Sequence, residues 1–189
     1  VARPLLGRAR SHPDERRTLA LLLAAAARLR PGPLVRRLND PRRRLVRGLL
    51  AILADSGRPE AIDGLRRACA HPDAGIRLDA LRSLSRLDPE QAVAAALTAL
   101  RDPAPELRAE ARGLLRSAPG REPDIALATF LQAPPTRAEG REAVEVLAGR
   151  RTGLARTTLQ HLARRRLFAS AGSRDLQKAA RRALGGGRR

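Results

Sequence analysis

The sequence has no tryptophan, tyrosine or methionine, and only two phenylalanines, one cysteine and one lysine among its 189 residues. Each scarcity excludes something. With no aromatics beyond Phe130 and Phe168, a core must be assembled from Leu, Ala, Val and Ile. Such material suits closely packed helices and serves an all-β domain badly, because strands favour β-branched and aromatic residues. The same lack removes the platforms on which unpaired bases stack, so single-strand recognition is disfavoured. One cysteine excludes an internal disulfide and fits a reducing, cytoplasmic setting. Cys69 falls on an apolar helix face with Leu65 and Ala68, where a thiol behaves as a small hydrophobe. The longest apolar run, Leu19 to Ala27, is too short to span a bilayer. Asp14 and Glu15 interrupt the basic segment ahead of it, which speaks against a secretory signal. The chain opens on Val1, which points to a piece of a larger protein or to a non-standard start codon.

Positive charge is abundant. Lys and Arg number 38 against 19 Asp and Glu, a formal +19, and all but Lys178 of the cations are arginine. A GC-rich genome accounts for arginine in place of lysine. It does not account for the excess over carboxylates, which points to an anionic partner.

The chain is organised by a repeat. Pro41, Pro72, Pro103 and Pro134 are spaced 31 residues apart, and Ile76, Arg77 and Ala80 recur one step later as Leu107, Arg108 and Ala111. A fixed period of this length is the signature of stacked helical hairpins. Pro59-Glu60 and Pro89-Glu90 open first helices, where proline loses no needed hydrogen bond and glutamate complements the helix dipole. Asp102 is placed to cap the following helix. Apolar stripes such as Ile76, Ala80, Leu84 and Leu87 mark the buried faces of second helices. The expected division is an N-terminal capping unit at 1–30, repeats at 31–150, irregular capping helices at 151–184 and a disordered tail at 185–189. Within the capping segment the spacing predicts a long helix over 152–167 and a short one over 175–184. The expected fold is all-α, an α-solenoid of about five hairpins.

The pattern of first helix, Asp-Pro turn, and second helix with apolar-Arg-x-x-Ala resembles a HEAT repeat. It is carried by Asp102-Pro103 with Leu107-Arg108 and Ala111, by His71-Pro72-Asp73 with Ile76-Arg77 and Ala80, and by Asp40-Pro41 with Val46-Arg47, which has one extra residue. The short bacterial type is also similar to phycobilisome lyase HEAT proteins. The resemblance implies a scaffold that binds other proteins. It also implies a structural ladder in which Arg47, Arg77 and Arg108 pair with carboxylates such as Asp79 or Glu110.

Catalysis has little to stand on. His12 and His71 lie in near-identical His-Pro-Asp turns suited to capping, and His161 stands alone. No His/Cys cluster has metal-ligand spacing and no glycine-rich phosphate loop follows a strand, so no catalytic residue, metal or cofactor is expected. The leading expectation is a non-enzymatic scaffold that engages another protein through the concave face lined by second helices. The alternative is sequence-independent binding of nucleic acid or another polyanion along a stripe of Arg82, Arg86, Arg112 and Arg116, with Arg42, Arg43 and Arg44 at one end. Arg82 and Arg86, like Arg112 and Arg116, are four apart and so share a helix face.

Overall fold

The computed structural model describes the backbone of residues 13–164 and 171–185, with side chains from 21 to 164 and from 174 to 185. Eleven α-helices and no strand occur among the described residues: α1 (Pro13–Leu29), α2 (Gly32–Val35, continued by a 3-10 turn over Arg36–Asn39), α3 (Arg43–Ala54), α4 (Pro59–Ala68), α5 (Ala74–Leu87), α6 (Pro89–Ala99), α7 (Pro105–Ser117), α8 (Glu122–Phe130), α9 (Arg137–Arg150), α10 (Gly153–Arg164) and α11 (Ala171–Gly185). The fold is all-α, an α-solenoid of paired helices. The helices divide into two compact units, 1–92 and 93–189, with the boundary inside α6.

Local chemistry sets the helix starts. Asp73 caps α5 by accepting from Ile76 N at 3.0 Å, and His71 Nδ1 accepts from Asp73 N, also at 3.0 Å. Thr136 caps α9 by accepting from Glu139 N at 3.2 Å. Asp102 does not cap α7. Pro105 fixes the start of that helix two residues later than expected, so Ala104 holds the N-cap position. Asp102 accepts from Ala104 N at 2.8 Å and folds the turn instead.

In the first unit α2 packs on α4 and α3 on α5, first helix against first and second against second. Val46, Leu50, Leu53, Leu65, Ile76, Leu81 and Leu84 fill the space between them and are essentially fully buried. In the second unit α7 packs on α9 and α9 on α11, with α8 against α10. Leu107, Ala111, Leu115, Leu127, Val144, Leu147 and Leu159 form that core. The closing pair therefore stacks like the pairs before it. Its first helix is described as far as Arg164, and its second from Ala171, four residues ahead of the predicted Asp175, to Gly185. His12, Phe168 and tail residues 186–189 lie outside the described residues.

Candidate interaction surfaces

The arginine near the start of α7 performs two tasks. Arg108 Nη1 donates to the carbonyls of Asp102 and Pro103 at 2.7 and 2.9 Å, closing the turn that precedes its own helix. Its remaining donors form a bidentate pair with Glu139 at 2.7 and 2.8 Å, one repeat period further along. Arg77 closes its turn in the same way, through the carbonyls of His71 and Pro72 at 2.9 and 3.0 Å. Arg47, displaced by the extra residue after Pro41, pairs with Asp79.

Glu110 lies half-buried on α7, and the carboxylate facing Arg108 is Glu139. Glu139 had a sequence signal: it follows Arg108 by one period and completes a Thr-x-x-Glu capping box with Thr136. The hydrogen bonds from Arg108 hold its carboxyl below the usual glutamate range.

The arginine stripe does not survive intact. Arg112 is 1% exposed. It donates to Glu139 and Glu142, each at 3.1 Å, and its guanidinium lies 5.5 Å from the centre of the Phe130 ring. The reason is helical geometry: Arg112 is one turn past Arg108 and shares its inward direction, beside the stripe of Leu107, Ala111 and Leu115. Arg42 is held by Asp40 at 2.9 and 2.8 Å and Arg43 by Asp73 at 2.8 Å. The Arg42 guanidinium keeps the Asp40 carboxyl well below the carboxylate range. Arg82 and Arg86 stand exposed on α5, Arg116 on α7 and Arg44 at the start of α3.

A buried centre in the second unit was invisible in the sequence. Asp124 is 0% exposed. Its carboxylate takes Arg150 Nε and the Thr152 hydroxyl, while Arg150 also donates to the carbonyls of Leu115, Ala118 (2.8 Å) and Gly120 (3.0 Å). Arg151 makes this possible by adopting φ 53°, which turns the chain back so that Thr152 reaches Asp124. Only a lone aspartate in the apolar helix α8 hinted at it.

The second unit also carries an open groove of about 1240 Å³ along the outward side of first helices α6 and α8, lined by Leu97, Arg101, Pro103, Ile125, Thr129 and Phe130 among others. Ile125 is 53% exposed there. The corresponding side of α4 in the first unit is charged, with exposed Glu60, Asp63, Arg66 and Arg67. Burial pushes the Cys69 thiol up to about 11. No helix among the described residues is long and apolar enough to cross a membrane.

A family model of HEAT repeats matches residues 31–116. Residues 31–116 are HEAT repeats. The turn-closing arginines Arg77 and Arg108 fall inside the HEAT match, and so does Arg47. The match is to the repeat itself and extends no likeness to phycobilisome lyases. No curated protein matches the sequence. Two crystal structures of engineered proteins are similar to the chain. One is 17% identical with a TM-score of 0.47, covering 94% of this chain and 93% of the other. The second is 20% identical with a TM-score of 0.46, and the alignment covers 96% of this chain but 56% of the other.

Proposed function

We propose that the chain is a non-enzymatic HEAT-repeat scaffold that binds another protein in the cytoplasm. The observation that carries this reading is the groove beside α6 and α8. Most outward positions of a first helix are charged in α4, yet here they are Leu97, Ile125, Ala126 and Thr129. Apolar side chains on a concave surface are what a polypeptide anchor needs, since apolar groups seated in a pocket supply most binding energy, and Arg101, Asp102, Arg108 and Glu122 add charges to the same lining. The groove supports a contact on the first-helix side of the second unit, whereas the contact expected from the sequence lies on the face lined by second helices.

The polyanion stripe has lost its centre, because Arg112 is committed to Glu139 and Glu142. What supports an anionic partner is the remainder: Arg44, Arg86 and Arg116 are exposed, with no carboxylate pairing among the described residues.

Selection from a random peptide library on the immobilised protein tests the groove. Enriched peptides should carry apolar anchors, bind the parent with micromolar affinity, and weaken at least about tenfold on the Ile125→Asp variant. Ile125 is exposed, so that variant keeps the fold. Peptides that bind parent and variant alike would defeat the assignment.

A further inference from the structure

We propose that the edge of the first unit where each first helix turns into its second is a contact surface for the phosphate backbone of duplex nucleic acid. Arg36, Arg44 and Arg67 are its exposed cations with no carboxylate pairing among the described residues. This goes beyond the protein-binding reading and does not depend on the groove.

Charge is concentrated at this edge. Residues 36–44 hold five arginines and one aspartate. Arg36 and Arg37 lie on the 3-10 turn and Arg43 and Arg44 in the first turn of α3, so all five arginines bracket a single connection. The neighbouring connection adds Arg66 and Arg67 at the end of α4, which packs against α2 and the 3-10 turn. Arg67 follows Arg36 by one period, so the two stand at equivalent places on successive first helices. The Arg43–Asp73 pair at 2.8 Å brings the two connections side by side.

The carboxylates present do not balance this charge. Asp40 takes Arg37 and Arg42, Asp73 takes Arg43, and Asp63 takes Arg66. Arg36, Arg44 and Arg67 remain exposed with no carboxylate pairing among the described residues. Arg43 and Arg44 also sit at the positive end of the α3 dipole, a placement that repels them and that an anion would relieve.

The chemistry separates the candidate partners. A protein interface needs apolar groups to bury. The one apolar residue between 36 and 44, Leu38, is already 5% exposed and faces the core. A phosphate polymer needs only charge and forked donors. With no tryptophan or tyrosine in the chain to hold unstacked bases, a duplex fits better than a single strand.

The test is anisotropy of a labelled random-sequence duplex at several salt concentrations. It compares the parent, Arg36→Glu with Arg44→Glu, and Arg141→Glu with Arg156→Glu, exposed residues of the second unit whose reversal changes net charge equally at a different place. Circular dichroism verifies each fold, and Arg36→Gln with Arg44→Gln replaces the edge variant if charge reversal unfolds it. The parent should bind at about 150 mM salt. The edge variant should lose at least about tenfold in affinity and flatten the slope of log K against log salt by about 2, while the control stays within about twofold. Equal weakening in both variants would overturn the proposal, as would a parent that does not bind at that salt. Displacement of the duplex by polyglutamate or phosphatidylserine vesicles as readily as by unlabelled duplex would assign the edge to an acidic polypeptide or a lipid surface instead.

Discussion

Four acceptors converge on the guanidinium of Arg150: one carboxylate and three carbonyls at the end of α7 and beyond. Its side chain is 3% exposed and that of Asp124 is 1% exposed, so neither charge has water to fall back on. A buried pair of this kind adds little net stability over an apolar replacement of both partners, but removing one partner strands the other. Arg150→Ala should therefore cost about 3–5 kcal/mol in urea unfolding. The double variant Arg150→Met with Asp124→Leu should recover part of that loss. A cost below about 1 kcal/mol for the single change would show that water reaches the site.

At the scale of the helix, glycine marks where elements meet. A methyl group added at Gly64, in the middle of α4, would stand 2.8 and 2.9 Å from the two methyls of Val35 on α2. Val35 is β-branched and stiff, so it cannot swing aside cheaply. Gly64→Ala should destabilise by about 1–3 kcal/mol through overpacking, although alanine is the better helix former by about 1 kcal/mol. Gly48 on α3 and Gly113 on α7 have open space around them. The same change there should stabilise by up to about 1 kcal/mol, and thermal melts of the three variants distinguish crowding from propensity.

The helices themselves were legible because proline, the repeat period and apolar stripes all bear on the backbone and on burial. Of the side-chain pairings, Asp79 was legible as a ladder carboxylate and meets Arg47, whereas Glu139, one period beyond Arg108, was overlooked in favour of Glu110. Arg112 misled because charge alone suggests exposure, whereas its direction was set by the residue one turn earlier. Asp124 and Arg150 meet through a left-handed residue at Arg151, and no local pattern announces such a turn at an arginine.

For the whole molecule, acid is the revealing perturbation. Glu139 joins α9 to both Arg108 and Arg112, and hydrogen bonding to Arg108 lowers its pKa from the ordinary 4.5. A depressed carboxylate contributes stability that is fully present above about pH 4.5 and is lost as pH falls through the folded-state value. Melting temperature should thus hold steady from neutral pH to about pH 5 and drop below it. Glu139→Gln should melt lower at pH 7, by an amount equivalent to about 3 kcal/mol, and show a shallower acid slope. An unchanged slope in that variant would move the acid sensitivity to another carboxylate.

The one-period reach of Arg108 has a consequence for how such a chain changes in length. Arg77 and Arg108 close their turns through the same pair of carbonyls, five and six residues back. Either arginine can therefore stand in front of Glu139. Excising 31 residues from the middle of one hairpin to the same point in the next would return a turn-closing arginine to Glu139, while excising any other number would not. Duplication obeys the same rule in reverse. The heritable unit is thus the period, and lengthening by whole copies is the kind of mutation this chain tolerates best.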